Sequence, residues 1–274
     1  MTAGRDRWRL PPPVRGMRAA FVFLSRLPLG GFPYRDEDFA WAPAHAPLVG
    51  LVVGALGASA FVLVRDAGAW VAALVGLAVT MFATGGFHED GLADTADALG
   101  GAIFDRRRVL EILKDSRVGT FGALALIVSV SLRVALLVSY AVRSSGDGVS
   151  LAQAGIFAFV TTHVAARVTP TWMMASMPYV TDPEHAKSRP VVRAGPWQAV
   201  VCTCEAAALL VAAITWFPTP VAGAVGIGAI AVVLASAVCA FRFLRRVGGI
   251  TGDFLGATEQ VSEVAFLLAL TCTM

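Results

Sequence analysis

A chain of 274 residues that is 57% hydrophobic and only 15% charged, with a mean hydropathy of +0.70, is too apolar to be a soluble domain of this length. Its formal charge of +3 sits in loops between apolar blocks, so it is a topology signal and not a nucleic-acid-binding surface.

The N-terminal arm, Arg5 to Pro13, is basic. No apolar stretch follows it directly and no signal-cleavage site is evident. Residues 17–24 are apolar but too few to cross a bilayer, and are expected in the interface or as a re-entrant piece. Residues 46–64 and 67–87 carry no charge, and residues 118–142 carry only Arg133. Residues 149–181 are interrupted by His163, Arg167 and Pro170 and exceed one span. Residues 194–241 carry only Glu205, and Pro218-Thr219-Pro220 divides them in two. A bilayer core takes about 20 helical residues. The pattern predicts six spans, with a weaker seventh from about Phe254 onward. The expected fold is all-α: one polytopic membrane domain over residues 1–274, with six to seven transmembrane helices and short interfacial helices.

Basic residues set the orientation. Seven arginines precede the first span. Arg106, Arg107, Arg108, Lys114 and Arg117 lie between the second and third, and Lys187, Arg189 and Arg193 between the fourth and fifth. Arg242, Arg245 and Arg246 follow the sixth. The opposite loops hold only Arg65 and Arg143. The positive-inside rule then predicts a multi-pass protein of the cell (inner) membrane with a cytoplasmic N-terminus. Gly101 and Arg189 are expected inside, Gly146 and Thr219 outside. Cys202, Cys204, Cys239 and Cys272 fall in predicted spans and read as reduced packing residues. Trp70, Trp197 and Trp216 fall near span ends, as interfacial anchors do.

The segment His88 to Gly101 puts four carboxylates, Glu89, Asp90, Asp94 and Asp97, into nine residues. On a helix Asp90, Asp94 and Asp97 share one face. Their mutual repulsion is naturally relieved by a divalent cation, and hard oxygen ligands suit Mg²⁺. The plainer reading is solvated headgroup-level charge; the regular spacing and the Gly100-Gly101 stop favour a site. A second short helix is expected from about Asp105 to Lys114, lying on the membrane.

Lys114-Asp115-Ser116-Arg117-Val118-Gly119-Thr120 offers phosphate-binding cations and hydroxyls, or equally an inside anchor with a capping Ser116. Gly248-Gly249-Ile250-Thr251-Gly252-Asp253 is a glycine-rich turn ahead of a helix. Such turns can present N–H groups to phosphate, although a plain inter-helix turn reads as well. It lacks the Lys-Ser/Thr of a Walker loop. Asp253 is followed by Glu259 and Glu263 in an apolar stretch, where carboxylates usually face a polar cavity. Arg133 and Arg167 need partners for the same reason, either an acidic neighbour or substrate. His163, one turn from Arg167, reads as core, and His88 as a hydrogen-bonding neighbour of the acidic cluster more than as a ligand, because hard oxygen ligands suit magnesium better.

Taken together, these segments resemble the adenosylcobinamide-GDP ribazoletransferase (cobalamin synthase) family nearly end to end. The resemblance rests on Phe23-Leu24-Ser25-Arg26-Leu27-Pro28, Pro47-Leu48-Val49-Gly50, the stretch from Gly86 to Asp97, and the Lys114 and Gly248 motifs. It departs at Phe121, where Tyr is expected, and at Val180-Thr181, where Ala-Arg is expected.

The resemblance implies a membrane transferase that joins adenosylcobinamide-GDP to α-ribazole, or to its 5′-phosphate, with release of GMP. It implies Mg²⁺ on Asp90, Asp94, Asp97 and Asp253, with Asp94 or Asp97 removing a proton. Glu89, Lys114, Ser116, Arg117, Gly249, Thr251 and Gly252 are the expected substrate and phosphate binders. Membrane lipid is the other expected partner, nucleic acid is not one, and oligomerisation is left open. Two rivals remain: a CDP-alcohol-type phosphotransferase, whose Asp-Gly-x-x-Ala-Arg start is not matched here, and a membrane transporter lined by Arg133, Arg167, Glu259 and Glu263.

Overall fold

Pro12 and Pro13 open the first helix, where a missing N–H costs nothing. In the computed structural model, which describes residues 10–29, 36–102, 105–146, 148–180, 193–217 and 222–273, twelve α-helices follow in order. They are α1 (Pro12–Leu24), α2 (Asp36–Trp41), α3 (Ala46–Leu63), α4 (Ala69–Thr84), α5 (Phe87–Gly101), α6 (Arg106–Ile112), α7 (Thr120–Gly146), α8 (Leu151–Ala166), α9 (Val168–Ser176), α10 (Pro196–Trp216), α11 (Ala222–Val247) and α12 (Gly252–Cys272). The arm with Arg5, the loop with Lys187 and Arg189, and the Pro218-Thr219-Pro220 break lie outside the described residues.

The fold is all-α and polytopic. Among the described residues, five stretches are long and apolar enough to cross a membrane: Glu37–Leu63, Thr120–Ser145, Leu151–Ser176, Pro196–Trp216 and Ala222–Val247. Two expectations change. The apolar block 67–87 yields a 16-residue α4 that turns by 89° into α5, making a sixth span only if the bent pair counts as one. The turn is built on Gly85 and Gly86, with φ of 72° and 70°, a region that side-chain-bearing residues avoid. The last helix, α12, is not among the candidate spans. Its carboxylates lower its hydropathy, and most of its residues are buried against α5, α7, α8 and α11.

The main core gathers Phe61, Phe157, Phe159, Phe266 and Leu270 where α3, α8 and α12 meet. On α1, Ala19 and Ala20 bury against Val49 and Val53 of α3, so residues 17–24 dock on the bundle without crossing. Ser150 and Gln153 form a reciprocal cap that starts α8. Ile227, Ile230, Val233 and Leu234 of α11 face outward, as a lipid-facing surface requires. Trp70, Trp197 and Trp216 are exposed near helix ends, matching the anchor reading. The four cysteines are free, but Cys204 and Cys272 are exposed and do not pack inside.

Candidate active site

Residues 87–101 do form one helix, α5, and its acidic face is held from several directions. Gly91 meets the start of α12 so closely that a Cβ there would lie 2.8 Å from the Asp253 carbonyl oxygen and 3.2 Å from the Gly256 Cα. Asp253, more than 150 residues downstream, is thereby placed beside the helix that carries Asp90 and Asp94. Asp90 is exposed, and Asp94 and Asp253 are half-buried. Gly91→Val is expected to force the two helices apart, costing roughly 1–3 kcal/mol as overpacking does; a thermal-unfolding scan in detergent measures it.

Asp97 is turned differently. Its two carboxylate oxygens accept the N–H groups of Gly119 (2.6 Å) and Gly122 (2.8 Å), so it caps the start of α7. As α5 advances from Glu89 to Asp97, its contacts on α7 retreat from Arg133 to Gly119. At its C-terminal end, the Arg246 guanidinium donates to the carbonyls of Leu99 and Ala102.

The remaining expected binders flank this helix on loops. Lys114, Ser116 and Arg117 are exposed just before α7. Arg117 grips the Asp115 carboxylate at 2.6 Å, and that contact pushes the Asp115 pKa down to about 2. Lys114 forms no ion pair among the described residues. Gly249 packs under the Pro178 carbonyl, closing a short bridge in which Ile250 N donates to Pro178 O and Val180 N to Ile250 O. Thr251 accepts the Phe254 N–H and starts α12. Among the described residues, chain neighbours and its own helix backbone aside, nothing lies within 4 Å of where a Cβ on Gly252 would stand.

Below the acidic face lies a buried ion network. Arg133, 1% exposed midway along α7, contacts Glu263 at 2.9 Å and Glu89 at 3.3 Å. His163 Nδ1 lies 2.5 Å from Glu263, and Arg167 lies 3.0 Å from Glu259. The Arg167–Glu259 contact is an ion pair without hydrogen-bond alignment, since Glu259 Oε1 has no hydrogen-bond partner. His88 closes the network at 3.5 Å from Glu259. Three carboxylates, Glu89, Glu259 and Glu263, thus face two guanidinium groups and two imidazoles in this network. The expected acidic partners of Arg133 and Arg167 are thus found, and Glu89 is directed to Arg133.

His163, Glu259 and Glu263 also stand close enough to share a metal ion. Two guanidinium groups on the same carboxylates make a dication there electrostatically unfavourable. Asp90, Asp94 and Asp253 offer hard carboxylate oxygens, and this donor chemistry fits a Mg²⁺-type ion.

Three contributors were missed by sequence reasoning. Gly91 and Arg246 gave no local signal, because each acts only through a neighbour distant in sequence. Tyr179 directly precedes the Val180-Thr181 departure and was assigned no role. Its burial, aided by the charge of Asp253, pushes its phenol up to about 12.

Comparison with known proteins bears on this arrangement. A family model described as cobalamin-5-phosphate synthase matches residues 16–271. An adenosylcobinamide-GDP ribazoletransferase of Leptothrix cholodnii is 37% identical over 262 residues, covering 91% of this chain and 92% of the relative. The protein of that name in Polaromonas sp. is 36% identical over 288 residues, covering 95% and 98%, and that in Shewanella amazonensis is 35% identical over 258 residues, covering 92% and 92%. No solved structure matches.

Proposed function

The chain belongs to the cobalamin-5-phosphate synthase family, and on that premise we propose that it transfers the corrinoid-phosphate of adenosylcobinamide-GDP to α-ribazole or its 5′-phosphate and releases GMP. The observation that carries the reading is the meeting of α5 and α12 at Gly91, which brings Asp253 to the helix bearing Asp90 and Asp94. The exposed cations Lys114 and Arg117 stand ahead of α7, the helix that Asp97 ties to α5.

In this reading a hydroxyl of α-ribazole attacks the phosphorus attached to the cobinamide arm. A new P–O bond forms there, and the diphosphate P–O bond breaks with the bridging oxygen leaving on GMP. Asp94, central in the acidic row, takes the hydroxyl proton. Asp90, Asp94 and Asp253 would hold Mg²⁺, which when bound neutralises diphosphate charge. Asp97 is proposed to contribute by seating α7, and through it Lys114, Ser116 and Arg117, against the acidic helix; its remaining lone pairs leave it available to the metal. Lys114 and Arg117 hold phosphate oxygens, Ser116 and Thr251 add hydroxyls, and Gly249 and Gly252 keep the backbone approachable. Glu89 orients the helix through Arg133 and does not meet phosphate.

The test is GMP release by the purified protein given adenosylcobinamide-GDP and α-ribazole. Absence of GMP with an intact, monodisperse sample would return the transporter reading. Exhaustive chelation is expected to abolish turnover and Mg²⁺ or Mn²⁺ to restore it, because clustered oxygen ligands select hard divalent ions; full activity after chelation removes the metal from the scheme.

Orientation is proposed with the acidic helix on the cytoplasmic side of the cell (inner) membrane. Reporter fusions at Gly101 should read inside and at Gly146 outside; the reverse result would separate the site from the nucleotide pool. The companion positions Arg189 and Thr219 lie outside the described residues.

A further inference from the structure

We infer that Arg133 is a positioning residue: through Glu89 it sets the rotation of α5 about its own axis, and with it the direction in which Asp90 and Asp94 face Asp253. The inference rests on the proposed metal–phosphate site and deepens it.

The geometry is that of a helix turning about 100° per residue. Measured around α5 from Glu89, Asp90 stands at about 100°, Asp94 at about 140° and Asp97 at about 80°, all within one narrow sector. Gly91 stands at about 200°, against α12. A glycine contact fixes how closely the helices approach but offers no side chain to resist rolling. Asp97 resists rolling only near the far end of the helix. At the near end, next to Asp90, the described polar tie to α7 is Glu89 on Arg133.

Arg133 can serve this role because it is a fork. Its Nη1 reaches Glu263 on α12 while Nη1 and Nη2 both reach Glu89 Oε1 on α5. One planar group therefore references the acidic helix and the Asp253 helix to the same point on α7. At 1% exposure in the middle of a span, a guanidinium is costly to keep there. Apolar packing would join three helices as well without specifying their rotation. Lysine keeps the charge but not the fork, and cannot hold both carboxylates in one plane.

The experiment compares wild type with Arg133→Lys, Glu89→Gln and Glu205→Gln, each as the full chain in detergent. Glu205 of α10 pairs with His45 at 2.9 Å, and the main packing of α5 is against α12, α7 and α6, so its variant reports the loss of an ion pair away from the site. Three quantities are measured: the unfolding midpoint, Mn²⁺ affinity by electron paramagnetic resonance without substrates, and kcat and KM in GMP release.

Arg133→Lys and Glu89→Gln are expected to weaken Mn²⁺ binding by about 10- to 100-fold, the usual effect of residues that orient metal ligands. They should lower kcat at saturating metal more than they raise KM. Glu205→Gln should lower the midpoint without moving Mn²⁺ affinity. Should Arg133→Lys fail to fold, Glu89→Gln carries the test, since it leaves the Arg133–Glu263 pair in place.

Wild-type Mn²⁺ affinity and kcat in folded Arg133→Lys and Glu89→Gln would overturn the inference and leave the proposed function standing. A wild type that binds no Mn²⁺ would overturn both. An equal loss of Mn²⁺ affinity in Glu205→Gln would reduce Arg133 to a purely structural residue.

Discussion

Asp94→Asn is expected to lower turnover by more than about 100-fold while the protein inserts and folds as before. Outer residues around a metal site typically cost 10- to 100-fold when changed, and Asp94 is proposed to act at the centre itself. The substitution keeps size and shape and removes one negative charge from a helix face that carries three. Relief of repulsion among Asp90, Asp94 and Asp97 offsets part of any folding cost, so the unfolding midpoint should move little. A loss of activity with an unmoved midpoint separates chemistry from folding. Wild-type GMP release in the purified variant would take Asp94 out of the site.

Asp253→Ala should separate the two effects in the same direction. A carboxylate in the first turn of α12 favours the helix by about 0.3–1 kcal/mol through the positive end of its dipole. If Asp253 also holds the metal–phosphate centre, turnover should fall on the order of 100-fold, equivalent to about 2.7 kcal/mol at 1.36 kcal/mol per decade. The activity loss then exceeds the stability loss severalfold. Disulfide cross-linking of cysteine pairs beside Gly91 and Gly256 gives a second readout of the contact that motivates this. Equal losses in stability and activity would reduce the Gly248-to-Asp253 segment to an ordinary turn between helices.

The register of the aspartates was legible before any fold existed. Asp90, Asp94 and Asp97 share a face because a helix repeats every 3.6 residues, and that geometry needs no neighbour. Apolar block lengths likewise marked the long span-forming helices, and the partners of Arg133 and Arg167 were foreseen in kind, since an intramembrane cation must be compensated. Block length did not register the 89° bend that follows α4. There two consecutive glycines permit a bend that hydropathy does not register. It also gave too much weight to a seventh span, because a buried helix and a lipid-facing one can carry similar apolar content.

What the sequence alone determined is therefore local: an all-helical membrane protein, a one-faced acidic helix, basic residues gathered between apolar blocks, and motifs that resemble one family. Tertiary structure alone decided that Asp97 faces the N–H groups of Gly119 and Gly122, that Glu89 turns to Arg133 and not outward, and that Arg246 caps the acidic helix. It also decided that Gly91 is where α12 comes close enough to bring Asp253 alongside. The reason is physical. Helical periodicity fixes which residues share a face, but the rotation of one helix against another is set by contacts between residues that lie 22 to 147 positions apart in the chain, and no local pattern encodes that angle.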